Sequence, residues 1–466
     1  MSSSAFDVVV IGSGPGGYVA AIRAGQLGLA TALVERDPFL GGTCLHRGCI
    51  PTKALLENAS RYQDLLHAGE FGLRVSGEIA VDWDRVQERK RGVVRQLAGG
   101  VKGLLRKQQV EVVTGWGRID GPGKVVVEVE GAPPRTLATR HIVIATGSVP
   151  RAIGAAPFDG ERILSSDHVL ELSAIPASLA IVGAGAVGVE FASIYDDFGT
   201  EVTLIEALPR LLPIEDEEIS AELGKAFAKR GIDVRTGTKL AGAALTGGGV
   251  KVSLEGERGG EIEVEKLLVA IGRAPVSDGI GLETVKVEVD RGYVQVDEWC
   301  QTAEPGVHAI GDVIPTPWLA HVASMEGVMV VERIAGRDVR PVPYGETPNC
   351  TYCDPEVASV GLTESAARDA GHDVRTGTFP FVASGRAKIA GHPGGFVKIV
   401  ADARYDEVLG VHIVGYKATE LIAEAGAVLR LEGTVEELIQ TIHAHPTLAE
   451  SVHEAAHAVH GHAIHY

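Results

Sequence analysis

The sequence predicts an α/β protein built on one βαβ unit used twice and closed by an α+β domain. Three observations predict this. The stretch "DVVVIGSGPGGYVAAIRAGQLGLATALVER", from Asp7, is a hydrophobic strand, a G-x-G-x-x-G turn, an amphipathic helix, a second strand and an acid. The stretch "LAIVGAGAVGVEFASIYDDFGTEVTLIEA", from Leu179, repeats that order with every marker at one constant offset. From about Thr347 the pattern changes to "TYCDPEVASVGLT", "GGFVKIVADARYDEVLGVHIVG" and "ATELIAEAGAVLRL", which read as strands with polar turns and then a helix.

The first unit carries Gly12, Gly14, Gly17 and Glu35, and the second Gly183, Gly185, Gly188 and Glu206. In such a unit the first glycine allows a tight turn, the second admits a pyrophosphate to the backbone, and the third lets helix and strand pack closely. The helix N-terminus offers N–H donors and positive potential to the phosphates. The acid accepts hydrogen bonds from a ribose diol. One such fingerprint is weak, but two in the same context predict two Rossmann-like dinucleotide-binding domains. A carboxylate at Glu206 suits a free 2′-hydroxyl and repels a 2′-phosphate, which favours NAD over NADP.

Between the first unit and residue 60 lies "GGTCLHRGCIPTKALLENA". On a regular helix the C-x4-C spacing would set Cys44 and Cys49 ~140° apart around the axis. A disulfide between them would need a distorted turn, which Gly48 and Pro51 can help to provide. Lys53 follows Cys49 on the same helical face, and a nearby ammonium or a helix N-terminus favours a thiolate.

Three further strand-to-glycine junctions follow: "HIVIATGSVPR", "LLVAIGRAP" and "GVHAIGDV". The first would close the first nucleotide domain and the second the inserted one. The third places Asp312 at a strand end, as though the chain had returned to the first site.

Composition narrows the function classes. The chain has 466 residues, roughly three ordinary domains. Hydrophobic residues make up 45% and charged residues 22%, as in a globular protein. The formal net charge of −18 argues against nucleic acid as a partner and favours a basic one. No run approaches the ~20 apolar residues of a membrane span. The start "MSSSAFDVVVIGSG" has no basic n-region, so the expectation is a cytoplasmic protein without a leader. Five scattered cysteines do not make a secreted disulfide framework.

These residues together resemble the pyridine nucleotide–disulfide oxidoreductases, and within them the branch that oxidises dihydrolipoyl groups. The resemblance covers essentially the whole chain. It rests on "GGTCLHRGCIPTKALL", "GAGAVGVE", "AIGDV", "LAHVASMEG", "DPEVASVGLTE" and, most specifically, "HAHPTLAE" (His443–Glu450). It implies an FAD-binding domain at 1–149, an NAD-binding domain at 150–273, a central domain at 274–343 that returns to the FAD site, and a dimerisation domain at 344–466. FAD would contact Gly12, Gly14, Gly17, Glu35, Thr43, Lys53, Gly117, Thr146, Asp312 and Ala320. NAD would contact Gly183, Gly185, Gly188, Glu206, Ala270, Gly272 and Arg273.

For the chemistry, the resemblance implies that Cys44 exchanges with the substrate thiol while Cys49 faces the flavin. Lys53 would pair with Glu190. His445, oriented by Glu450 and supplied by the other subunit of a homodimer, would take the substrate's proton. The implied partners are a lipoyl domain and the E2 acyltransferase of a 2-oxo acid dehydrogenase complex or of glycine cleavage. The pattern departs from the family at His46 and Arg47, where Asn-Val is usual, and at Thr52, where Ser is usual. The added cation is expected to shift thiol pKa and the disulfide's potential.

Rival readings are a glutathione-type or mercuric reductase and a non-catalytic assembly protein of the same fold. "HEAAH" (His453–His457) has the form of a zinc-protease motif. The metzincin pattern wants glycine where this sequence has His460, so the match reads as the accident of a histidine-rich tail, with no metal expected. Thr447-x-x-Glu450 reads as a capping box for the helix that carries it. Cys350-x2-Cys353 has no second pair and reads as two ordinary thiols.

Overall fold

A computed structural model describes residues 6–466. Residues 1–5, which open the stretch expected to lack a leader, lie outside the described residues. The chain forms two compact units. Met1–Ala54, Asp84–Arg151 and Arg273–Tyr344 make the first; Leu55–Trp83, Ala152–Gly272 and Gly345–Tyr466 make the second. The chain crosses between the units after Ala54, Trp83, Arg151, Gly272 and Tyr344. The segment 274–343, expected as a separate central domain, is instead part of the first unit. Its strand Val307–Ala309 is too short to found a sheet and adds in parallel to Arg135–Ile144.

The first unit is a parallel sheet in the spatial order Glu111–Thr114, Thr31–Glu35, Phe6–Ile11, Arg135–Ile144 and Val307–Ala309. Val8 sits opposite Thr31 on one side and His141 on the other. Val8, Val9 and Val10 are all fully buried, as a parallel strand covered on both faces requires. The first half of Arg135–Ile144 runs on into an antiparallel ribbon with Lys124–Glu128 and Trp116–Ile119. Two helices, Pro15–Gln26 and Ala320–Ile334, pack face to face through Gly16 and Gly327. A methyl on Gly327 would lie 2.7 Å from the Gly16 carbonyl oxygen, so only glycine lets the two backbones approach this closely.

The second unit repeats the parallel motif with Asp233–Arg235, Glu201–Ile205, Ser178–Val182, Lys266–Val269 and Ile163–Leu164 in that order. An antiparallel meander, Thr238–Leu245, Val250–Gly256 and Gly260–Val264, follows. The C-terminal part is a five-stranded antiparallel sheet, Asn349–Thr351, Val357–Gly361, Val408–Gly415, Gly395–Asp402 and Val374–Pro380. Helices Ala418–Arg430 and Glu450–Val459 close its core through Ile422, Ala425, Val452 and Ala455.

Buried polar ties hold this unit together. Lys398, 2% exposed, reaches Asp216 at 3.1 Å, Glu218 at 2.6 Å and Glu364 at 2.8 Å. Arg230 bridges Asp196, Asp197 and Asp354. The fold is thus α/β with an α+β C-terminal part. Among the described residues no helix is long and apolar enough to cross a membrane.

Candidate active site

The two glycine fingerprints fold alike. Gly12 (φ +105°) and Gly183 (φ +101°) turn the chain where a side chain would run into the carbonyl oxygens of Ala145 and Ala270. A Cβ on Gly17 or Gly188 would strike the carbonyl of Gly12 or Gly183, so these glycines set the closeness of helix to turn. Gly14 and Gly185 face open space. They precede helices Pro15–Gln26 and Ala186–Asp197, and neither helix start has a side-chain cap. Each loop therefore presents uncapped N–H donors to a clear approach, as a pyrophosphate requires.

The two acids are pinned alike. Glu35 Oε2 accepts from Ser13 N at 2.8 Å and Ser13 Oγ at 2.6 Å, while Oε1 accepts from Asp37 N at 2.8 Å. Glu206 Oε2 accepts from Ala184 N at 2.7 Å and Oε1 from Leu208 N at 2.8 Å. Both are buried carboxylates held at the mouth of their glycine loop. Ser13 is a partner that the fingerprint pattern does not flag. The donor sets and clearances fit a dinucleotide at both loops.

Around the first loop, Gly117 packs on Val34 and Ile11, and the Thr146 hydroxyl donates to Val276 O at 2.6 Å. Ala320 opens the helix Ala320–Ile334. Asp312 lies in the one-turn helix Gly311–Val313, and its Oδ2 accepts from Ser148 Oγ at 2.5 Å. Around the second, Ala270 backs Gly183, and Gly272 (φ +112°) faces open space.

Arg273, expected with the NAD residues, follows directly on Gly272. Its strand Arg273–Pro275 pairs with Ser148–Pro150 in the first unit. Its guanidinium closes on Ser148, with Nε to Oγ at 2.6 Å and Nη2 to the carbonyl at 2.7 Å, and reaches Thr43 Oγ1 at 3.5 Å. The antiparallel pairing fixes the side chain against its strand partner.

The cysteines sit on either side of a broken helix. Helix Gly42–Arg47 ends at Gly48, and helix Cys49–Leu66 starts immediately after it. Thr52 fastens the break, its N and Oγ1 both donating to Gly48 O at 3.1 and 2.6 Å. The break supplies the distorted turn that a regular helix would deny the pair. Cys44 and Cys49 are thiols in hydrogen-bond contact. That bond first, then burial and the charge of Cys49, pushes the Cys44 thiol well up, against the pull of Lys53. Cys49 is the first residue of its helix, where the backbone N–H groups offer positive potential to whatever stands there. Tyr18 lies close enough to feel Cys44, and burial followed by that charge raises its phenol.

Two of the three departures from the family pattern, His46 and Arg47, have partners of their own. His46 Nε2 meets Leu40 O at 2.9 Å, and its ring lies 5.3 Å from that of Phe39. Arg47 pairs with Asp37 at 2.9 Å. Lys53 lowers the Cys44 thiol, and the Arg47 guanidinium is turned to Asp37.

The C-terminal segment assembles a second cluster. His445 Nδ1 meets Glu450 Oε1 at 2.8 Å, while Glu450 Oε2 accepts from Thr447 N at 2.7 Å. Burial pushes the Glu450 carboxyl up, but the bonds from Thr447 and His445 outweigh it and hold it below its usual range. The His445 side chain is 82% exposed, leaving Nε2 toward solvent. Beside it His443, nearly buried, bridges Thr441 O and Glu424. Glu190 is buried and accepts from Tyr352 N at 2.9 Å. The thiol pair and Lys53 belong to the first unit; Glu190, His445 and Glu450 belong to the second.

The capping box forms only by half. The helix begins at Glu450, with Ala449 as its cap, and the Thr447 hydroxyl turns back to Ala444 O at 2.8 Å. In "HEAAH" the Glu454 carboxylate is taken by His465 Nδ1 at 2.7 Å and by the N–H groups of Ile464 and His465. His453 Nε2 lies 3.2 Å from His457 Nε2. Cys353 is buried, and its thiol donates to Pro355 O at 3.2 Å.

The family described as pyridine nucleotide-disulphide oxidoreductase matches residues 6–327, and its dimerisation domain matches residues 347–456. A dihydrolipoyl dehydrogenase of Bacillus subtilis is 46% identical, with 99% of each chain covered. One from Zymomonas mobilis is 44% identical, again with 99% of each covered. Among solved structures, LpdA from Mycobacterium tuberculosis superposes with a TM-score of 0.90 at 29% identity, over 97% of this chain and 99% of that one.

Proposed function

This chain belongs to the pyridine nucleotide-disulphide oxidoreductases, and from that premise we propose that it oxidises dihydrolipoyl groups to lipoyl groups with NAD+, through FAD and the Cys44–Cys49 pair. The observation that carries this reading is the thiol pair itself. Two cysteines in hydrogen-bond contact across a helix break, next to a dinucleotide fingerprint, suit reversible disulfide exchange.

The first fingerprint, with Glu35 and Asp312, holds FAD, and the second, with Glu206, holds NAD. When bound, FAD carries two electrons between the cysteine pair and the nicotinamide. The chain's own residues do the rest. His445 Nε2 takes the proton from one substrate thiol, while Nδ1 stays bonded to Glu450. The substrate thiolate attacks Cys44 of the oxidised pair, forming a mixed disulfide and releasing Cys49 as thiolate. The second substrate sulfur then attacks the substrate sulfur of the mixed disulfide. That closes the lipoyl disulfide, and Cys44 leaves and takes up the proton that the second substrate thiol gives up.

Residues 347–456 match the family's dimerisation domain, and the working unit is a homodimer. Each subunit's His445 serves the cysteine pair of the other, which accords with its exposure in the single chain. A lipoyl domain and the E2 acyltransferase of a 2-oxo acid dehydrogenase complex are the partners. The net charge of −18 suits a basic E2 surface.

The test is NAD+ reduction by dihydrolipoamide on the FAD-loaded protein, with Cys44→Ser alongside. Turnover by wild type and none by the variant is expected. A yellow wild type inert toward dihydrolipoamide would overturn the substrate assignment, and equal turnover by the variant would overturn the role of Cys44.

A further inference from the structure

Glu326 is fully buried on the helix Ala320–Ile334, and the chemistry above gives it no task. A buried carboxylate is costly unless its oxygens are satisfied. Here they are: Oε1 accepts from Thr316 Oγ1 at 2.8 Å and Tyr344 Oη at 2.9 Å, and Oε2 accepts from Gly311 N at 2.7 Å. Gly311 opens the one-turn helix that carries Asp312. Asp312 is fixed from its other side by Ser148, itself gripped by Arg273. The next residue, Gly327, is where Ala320–Ile334 meets the fingerprint helix Pro15–Gln26. One dipeptide, Glu326–Gly327, therefore touches both halves of the first nucleotide site: its glycine sets the distance to the phosphate-facing helix, and its carboxylate holds the turn that presents Asp312.

We propose that Glu326 is a positioning residue for the flavin nucleotide, fixing the Gly311–Val313 turn and so the aim of Asp312 relative to the Gly12–Gly17 loop. The proposal rests on FAD occupying the first fingerprint. Glu326 acts through hydrogen-bond geometry rather than by touching the cofactor. Burial raises its carboxyl pKa, and the bonds from Gly311, Thr316 and Tyr344 offset only part of that rise.

The test reads the rate of FAD loss from the holoenzyme, by the rise in flavin fluorescence on dilution, and the visible circular dichroism of bound flavin. Glu326→Leu keeps the volume but leaves three donors without an acceptor. It should speed FAD loss by at least about tenfold and alter the visible band. Glu326→Gln can offer its amide oxygen to Gly311 N and its NH2 to the two hydroxyls, which can turn to accept. It should stay within about threefold of wild type with the same band.

FAD loss at the wild-type rate and an unchanged band in Glu326→Leu would overturn the proposal. So would a Gln variant as impaired as Leu, because charge rather than geometry would then be at work. If Glu326→Leu does not fold, Tyr344→Phe removes one of the three donors and should speed FAD loss severalfold; an unchanged rate there also overturns it. A wild-type chain that takes up no FAD would instead overturn the assignment of the first fingerprint.

Discussion

The Glu450 carboxylate serves two neighbours at once, the imidazole of His445 and the backbone of Thr447. Because those bonds keep it ionised below the ordinary carboxylate range, acid should break the His445–Glu450 pair only at still lower pH. Glu450→Gln should retain fold and flavin but lower kcat by about tenfold to a hundredfold, the scale of a lost orienting partner; kcat near wild type would leave Glu450 a backbone-bonding residue alone. Arg47 carries the opposite expectation from the one its sequence position raises. Its guanidinium is spent on Asp37, so Arg47→Val should leave the disulfide's reduction potential unmoved in a redox titration. The exposed pair should cost at most about 0.5 kcal/mol of stability. The contacts of Cys44 with Cys49 and of His445 with Glu450 were legible because each pair is close along the chain. The direction of Arg47 was not, because a long side chain chooses among carboxylates that only the folded backbone brings near.

At the scale of elements, the legible features were those with a period or a punctuation mark. Both βαβ units could be read because strand, glycine turn and helix each leave their own trace in the residue order. The helix break at Gly48 was legible only as a need, since C-x4-C on an unbroken helix would face two ways. What fastens it, the Thr52 hydroxyl on Gly48 O, looked like a neutral exchange of one hydroxyl residue for another. Thr52→Val should cost about 1 kcal/mol in thermal or denaturant unfolding, while Thr52→Ser should cost much less, because Ser keeps the bond. The start of helix Glu450–Val459 was misread because Thr447-x-x-Glu450 satisfies the capping pattern. Its hydroxyl turns back to Ala444, where a carbonyl lies within reach. The contacts of Arg273 were illegible for a related reason. The strand that delivers it pairs across a gap of sequence with Ser148–Pro150, and long-range pairing leaves no local signature.

At the scale of the molecule, the first unit has a built-in acid weakness. His308, on the strand Val307–Ala309, is buried beside His141, and the Nδ1 atoms of both lack a hydrogen-bond partner. Burial first, then the charges of His141 and Arg333, lowers the His308 pKa to about 4. The unfolded chain takes up this proton near the ordinary value of about 6.5, and the folded one does not. Stability should therefore fall as pH drops from about 6.5 toward 4 and then level off, by on the order of 2 to 3 kcal/mol from this group. Unfolding midpoints across that window should show the slope, and His308→Phe should flatten it; an unchanged slope would move the source elsewhere.

The exposed imidazole of His445 has one more consequence. A chain that holds its nucleophile in one unit and turns its base outward has no complete reaction centre of its own if each base serves the neighbouring copy. Catalysis then becomes a function of concentration. Diluted below the dimer dissociation constant, the protein should lose specific activity in proportion to the fraction unpaired, while each separated chain keeps its colour, its fold and both of its cysteines.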